Sequence, residues 1–398
     1  MPDKRFGQRI KMSNNLKLPI YMDYQATTPL DPRVLDAMMP FLTENFGNPH
    51  STTHSFGWYA EEAVTKARGQ IARLIGALPE EIIFTSGATE SNNLAIKGMG
   101  QAYRQHRNTI ITVATEHKCV LESAMAMERE GMNVFVLGVG SDGLINLDDL
   151  KAAMADDTLM VSVMAANNEI GVTQPIAEIG AMCRERRVFF HTDAAQAIGK
   201  IAVDVSAMNI DLMSLSGHKL YGPKGVGALY VRQGARLRPD PLMSGGGQEN
   251  GQRSGTLSPA LCVGLGEACD LARNEWAAET TRLKGYFDKM LTGLTTQLSG
   301  VTLNGHQDKR LPGNINLSFA DVKGEALLAS IRDIAVSSGA ACASAVTGPS
   351  YVLQAIGVPD KLAESSIRIG IGRHTTEAEI DYAIDHLVDA VTKLRKEK

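Results

Sequence analysis

From Ile82 onward the chain alternates between short runs of apolar and β-branched residues and segments of helical length. The runs are IIF at 82 to 84, TIITVA from Thr109, NVFVLGV from Asn133, LMVSVMAA from Leu159, VFFHTDA from Val188 and DLMSLS from Asp211. Helical patterns fill the intervals, for example Lys118 to Glu130 and Ile176 to Arg187. Runs that are apolar on both faces need cover on both faces, so the pattern predicts a mostly parallel sheet with helices on either side. In such a sheet, ligands belong at the carboxyl ends of the strands.

The alternation fades after Val231, where a glycine-rich stretch, SGGGQENGQRSGT (244 to 256), leads into a helical pattern from Pro259 toward Leu298. That helix is expected to link two domains. Beyond it, strands near GNINLSF (313 to 319) and SSIRIGIG (365 to 372), with helices near 323 to 332 and 377 to 394, describe a smaller α+β unit on which the first 28 residues are expected to pack. A length of 398 residues is ample for this arrangement.

Forty basic against forty-four acidic residues leave a formal charge of -4, so the chain carries no nucleic-acid footprint, and small molecules or proteins are the expected partners. The five cysteines, at 119, 183, 262, 269 and 342, form no CxxC pair, have no zinc spacing and are odd in number, which favours a reducing compartment. The opening MPDKRFGQRIK is basic but lacks an apolar core, and no run of 18 apolar residues occurs. The expectation is a cytoplasmic protein with no membrane partner; a targeting remnant, or an upstream start before Met12, is the alternative.

Three strand ends carry chemistry. In IIFTSGATESNNLAIKG, a Ser-Gly-Ala-Thr turn follows Phe84 and opens a helix at Ala88, a natural phosphate site. Equally, Ser86 or Thr89 could simply cap that helix. In HTDAAQ, Asp193 stands where a carboxylate can hold a protonated ring nitrogen, or cap the next helix. In SLSGHKLYGPKG, Lys219 ends an apolar strand among small polar groups, where partial desolvation suits Schiff-base chemistry. Lys224, in a turn after Pro223, is the competing lysine. An anion cradle, an acid for a pyridine nitrogen and an imine-forming lysine at strand ends of one sheet together suggest pyridoxal 5'-phosphate.

In this order the motifs resemble the class V, aminotransferase-fold enzymes, and specifically cysteine desulfurases of the NifS/IscS type. The resemblance runs through YMDYQATTP (21 to 29), FGNPHS (46 to 51), TSGATESNNLAIKG (85 to 98), TEHKCVLES (115 to 123), NNEIG (167 to 171), DAAQAIGK (193 to 200), SGHKLYGPKGVGALYVR (216 to 232), RSGT (253 to 256) and SSGAACASA (337 to 345). It implies the aspartate-aminotransferase type of α/β fold: a large domain over 29–275 with a mostly parallel seven-stranded sheet, and a small α+β domain from 1–28 and 276–398.

The resemblance further implies that Lys219 forms the imine, that the Ala88 amide, Thr89, Ser216 and His218 hold the phosphate, and that Asp193 and Gln196 meet the pyridine nitrogen and phenolic oxygen. His117 would lie over the ring and manage protons, Arg368 would grip the substrate carboxylate with help from Asn168, and Thr256 would reach the phosphate of a neighbouring subunit in a homodimer. Cys342, among small residues, would take sulfur from L-cysteine as a persulfide and leave L-alanine; Cys119 is the competing acceptor, whereas Cys183, Cys262 and Cys269 lie in helical patterns and read as core. Acceptors would include an iron-sulfur scaffold protein of the IscU type. The chain ends at LRKEK, where housekeeping members continue with a scaffold-docking tail, so the acceptor stays open; its loop, ACASAVTGPS, differs in detail from the usual ACTSASLEPS but keeps the length, which with no RxGHxC motif implies the long mobile loop of group I members. Another reaction on this fold, such as transamination or selenocysteine lysis, or a silent sulfur carrier, are the alternatives; a transaminase would not need Cys342.

Overall fold

The computed structural model describes residues 16–234, 237–338 and 348–397. Cys342 and the rest of its small-residue segment up to Thr347 lie outside the described residues.

The alternating pattern folds into one seven-stranded sheet, in the spatial order Ile82–Thr85, Gly227–Val231, Leu212–Ser216, Phe189–Asp193, Thr158–Ser162, Thr109–Val113 and Asn133–Leu137. Four of its six pairings are parallel. The exception is Gly227–Val231, antiparallel to both neighbours. It returns from Ser216 through a connection too short for the crossover that a parallel pairing needs. Successive side chains point to opposite faces: Phe84, Ile111, Val161, Phe190 and Met213 join one apolar core, and Ile83, Ile110, Met160 and Leu212 the other. Only the edge strand Asn133–Leu137 is left partly open, with Phe135 52% exposed. The helices Pro32–Thr43 and Ser55–Ile75 cover this sheet as well and have no counterpart in the sequence reading.

A second apolar core forms around a four-stranded antiparallel sheet, in the order Ser337–Ser338, Ser366–Gly370, Asn314–Phe319 and Val301–Leu303. The helix Glu377–Lys396 packs on it and begins with a capping box, Thr376 with Glu379. Ile20–Tyr21 pairs in parallel with Ile334–Ala335, which seats Ile20 and Met22 in this second core. The helix Pro259–Gln297 runs through both: Leu265, Cys269 and Ala272 lie in the first core, and Leu283, Phe287 and Leu294 in the second. Gly266 lets it press against Ser55–Ile75, since a Cβ there would come within 2.7 Å of the Ala67 Cα. Among the described residues no helix is long and apolar enough to cross a membrane, and no cluster of His, Cys, Asp or Glu has metal-ligand geometry.

Candidate active site

Because the central strands run the same way, their carboxyl ends deliver side chains to one edge, where a cleft of about 530 Å³ opens. Ser216, His218 and Lys219 follow Leu212–Ser216; Asp193 and Gln196 come from the end of Phe189–Asp193; Asn168 follows Thr158–Ser162; His117 and Cys119 follow Thr109–Val113; Ser86 to Thr89 follow Ile82–Thr85. Gln25, Ala26 and Thr27, from the chain's first segment, complete the wall.

The Ser-Gly-Ala-Thr turn opens the helix Ala88–Asn93 with Gly87 as its N-cap, at φ 147°, a conformation only glycine adopts at low cost. No side chain caps this helix, so the plain capping role for Ser86 or Thr89 is not what the fold uses. Its amides open on the cleft beside Ser216, whose Oγ is 3.8 Å from where a Cβ on Gly87 would stand. His218 faces the same space, with Nδ1 3.0 Å from Thr27 Oγ1. Burial, reinforced by the positive Lys219, Lys224 and Lys200, pushes His218 down to about 4, so it is neutral at pH 7.

Asp193 is buried at its strand end. Its Oδ1 accepts from the Ala195 amide at 2.9 Å, so it does cap the following turn, while Oδ2 accepts from Asn92 Nδ2 at 2.7 Å. Lys219 is half-buried, with Nζ donating to the carbonyls of Gln25 at 2.5 Å and Ala26 at 2.8 Å; Lys224 is exposed on the same rim. Gln196 donates to the Gln25 carbonyl at 2.9 Å and accepts from Lys200 Nζ at 3.2 Å, which fixes its amide plane before any ligand arrives.

His117 is both things the sequence offered. It is the N-cap of Lys118–Arg129, accepting the Cys119 amide at Nδ1 over 3.2 Å, and it lines the cleft. Burial and the nearby lysines lower its pKa against the pull of Asp193. The Cys119 thiol lies 3.0 Å from the same Nδ1 and is pushed up to about 12 by burial and Asp193. Cys183 and Cys262 are buried and pushed up to about 12 as well, and Cys269 is buried and raised further, as core thiols should be.

Two expected residues stand off the cleft. Arg368 is 2% exposed, which excludes a surface strand charge, yet it lies behind Asn168 rather than on the wall. Its Nη1 donates to the Asn168 carbonyl at 3.0 Å and its Nη2 to Asp23 Oδ1 at 2.8 Å and Ser337 Oγ at 3.1 Å, while its buried Nε has no partner among the described residues. Thr256 is exposed and outside the cleft, at the end of a loop tied down by Arg253 and Glu90 at 2.8 Å.

The donor set fits pyridoxal 5'-phosphate. An uncapped helix start with a hydroxyl and a neutral histidine suits a phosphate, a buried carboxylate suits a protonated pyridine nitrogen, and an amine shares the same cleft. The buried amide oxygens of Gln25, Asn92 and Asn168 also lack partners among the described residues, a shortfall that a bound polar molecule can meet. Sequence reading assigned no role to Gln25, Ala26, Asn92 or Asp23, although each lies inside a quoted motif. The available signals were polar residues in YMDYQATT and an asparagine one helical turn after Ala88.

The aminotransferase class-V family matches residues 20–383. Cysteine desulfurase IscS of Rickettsia bellii is 59% identical over 382 residues, covering 96% of this chain and 93% of that protein, and the protein of the same name from Rickettsia akari is 58% identical over 383 residues, with the same coverage. Among solved structures, a NifS-like protein superposes with a TM-score of 0.88 at 35% identity, covering 94% of this chain and all of that one. SspA in complex with cysteine superposes with a TM-score of 0.80 at 38% identity, covering 90% of this chain and all of that one.

Proposed function

Since the chain belongs to the class-V aminotransferase family, we infer that it is a pyridoxal 5'-phosphate-dependent cysteine desulfurase, converting L-cysteine to L-alanine and passing the sulfur on as a persulfide. The observation that carries this reading is the convergence of Lys219 Nζ, the Asp193 carboxylate and the uncapped turn at Ala88 on one cleft. Ala88, Thr89, Ser216 and His218 would hold the phosphate, Asp193 the pyridine nitrogen and Lys219 the carbonyl carbon; Gln196 would face the phenolic oxygen. The bound cofactor supplies an electron sink for the bond to the substrate Cα.

The protein's own side chains do the rest. Lys219 Nζ would take the Cα proton, and its two carbonyl partners hold it in the cleft. Asp193, fixed by Asn92 and Ala195, would meet the ring nitrogen with its carboxylate. His117 handles protons at the substrate sulfur. Arg368 would act on the substrate carboxylate through Asn168, which it holds in place on the wall by its bond to the Asn168 carbonyl. The Cys342 thiolate attacks the substrate sulfur: the new S–S bond forms as Cβ–S breaks, the carbon keeps the electron pair and takes a proton, and alanine leaves.

A homodimer is supported by seven large apolar side chains left 42% to 68% exposed at Leu35, Met39, Leu42, Phe46, Phe56, Trp58 and Tyr59, more than a monomer ordinarily shows in one region. Thr256, outside its own cleft, is then free to serve the partner's phosphate. The chain would work as two units, 29–275 and 1–28 with 276–398, and the long helix that enters both cores supports that division. Sulfur acceptors would include an iron-sulfur scaffold protein, in the cytoplasm, where a catalytic thiol stays reduced. Mixing the purified protein with L-cysteine tests the central reading: near-visible cofactor absorption and alanine in step with released sulfur are expected, and a colourless protein or one that yields no alanine overturns it. Sedimentation as a monomer would overturn the dimer alone.

A further inference from the structure

We propose that Cys119 is a positioning residue for His117: its thiol and its backbone amide together hold the imidazole with Nδ1 as acceptor and the ring proton on Nε2. The direction of each bond follows from the groups at the two ends of a short chain. A backbone N–H can only donate, so the Cys119 amide at 3.2 Å requires a lone pair on Nδ1. With no hydrogen on Nδ1, the thiol 3.0 Å away is the group that can bring one to it, sharing the lone pair with the amide. From the other end, the Asp193 carboxylate accepts, so Asn92 turns its Nδ2 toward it at 2.7 Å and presents the same nitrogen to Cys119 Sγ at 3.1 Å. The sulfur thus receives from Asn92 on one side and can donate on the other.

The charges around the pair favour the neutral forms that this chain needs. His117 faces Asp193, Lys219 and Lys118, and burial outweighs the carboxylate to keep the ring uncharged. Cys119 faces Asp193, whose carboxylate opposes a thiolate in a buried place. The Glu116 carboxyl is itself held well above its usual range by burial, with Asp193 adding to the shift. A protonated thiol beside a neutral imidazole lets the amide and the thiol share the Nδ1 lone pair, whereas a hydrogen on Nδ1 would face the amide hydrogen directly.

The consequence for catalysis rests on the desulfurase reading: His117 meets the substrate as an Nε2–H donor. The substrate sulfur therefore accepts this hydrogen bond, which favours its thiolate, and the Nε2 proton is the one His117 has to give. Cys119 is then neither a sulfur acceptor nor a spare core thiol.

The test is nitrogen NMR of the holoenzyme carrying ¹⁵N-labelled histidine, with the His117 signals assigned by their loss in His117→Gln. In the wild type, Nδ1 should show the signal of an unprotonated ring nitrogen and Nε2 that of an N–H; a protonated Nδ1 overturns the proposal outright, whatever the variants do. Cys119→Ala removes one neutral hydrogen bond, so the ratio of the two tautomers should fall about fivefold, and the acid limb of the kcat/KM profile for alanine formation should move to higher pH. Cys119→Ser, which keeps a donor, should restore both. An alanine variant with unchanged tautomer ratio and unchanged acid limb, or a serine variant that fails to restore them, overturns the role of the thiol. A wild type that makes no alanine overturns the desulfurase reading and leaves the tautomer measurement to stand by itself.

Discussion

Two walls of the cleft are held together by different means. The wall at the end of the seven-stranded sheet is built from residues adjacent to the strands that carry them: Ser216, His218 and Lys219 follow one strand within three positions, and Asp193 closes another. The wall toward the four-stranded sheet is built from contacts across the whole chain, with Arg368 reaching Asp23 and the Asn168 carbonyl, and Ser350 donating to Glu169. The first wall has its geometry fixed by strand direction and turn chemistry. The second depends on buried ion pairs and hydrogen bonds that form only when the fold is complete, so it should tolerate damage to turnover better and damage to stability worse.

The largest effect should come from the first wall. Lys219→Ala should abolish both near-visible absorption and alanine formation, and activity retained in that variant would move the imine to Lys224. Next, Asp193→Asn keeps the shape and removes the charge. It should slow exchange of the substrate Cα proton in deuterated solvent by orders of magnitude, and near-normal exchange would remove Asp193 from its assigned role.

On the second wall, Asp23→Asn leaves the 2%-exposed Arg368 without its counter-ion. Breaking a buried pair costs about 3 kcal/mol. The midpoint of denaturant unfolding should fall accordingly, KM for L-cysteine should rise about tenfold, and kcat should change little. A large loss of kcat at unchanged KM would mean that the two walls are not separable.

The smallest effect on turnover is expected at Glu169, where burial lifts the carboxyl from 4.5 to about 7 against the pull of Ser350 and Arg368. The native state therefore binds this proton more tightly than the unfolded chain. The resulting stability is fully present below pH 4.5 and is lost as pH rises toward 7. Glu169→Gln should remove that slope, so the variant gains on the wild type by about 2 to 3 kcal/mol between pH 5 and pH 8. Parallel pH profiles for the two proteins would remove Glu169 from the packing of the second wall.

The same division explains what could be read in advance. Lys219, Asp193 and the turn before Ala88 sit in contiguous strand-to-turn segments, and alternation alone placed six of the seven strands. Gly227–Val231 escaped because its glycines and short approach do not alternate with a helix. Asp23, Asn92 and the Gln25 and Ala26 carbonyls act through partners as far as 345 residues away, and no local pattern announces such a partner. Arg368 was singled out in sequence, but its distance behind Asn168 is a property of packing. His117 looked like a choice between a cap and a catalytic group, and proved to be a cap facing the cleft because a strand-to-helix junction puts both on one residue.

The account turns on where the sulfur goes. A single turnover with one equivalent of L-cysteine, quenched with an alkylating agent and followed by peptide mass spectrometry, reads that directly. The expected result is one alanine for each additional sulfur atom found on the peptide that contains Cys342, with none on the peptide that contains Cys119 and no label in Cys342→Ser. Alanine formed at full rate in Cys342→Ser, with the extra sulfur on Cys119, would contradict both the assignment of the nucleophile and the positioning role given to Cys119.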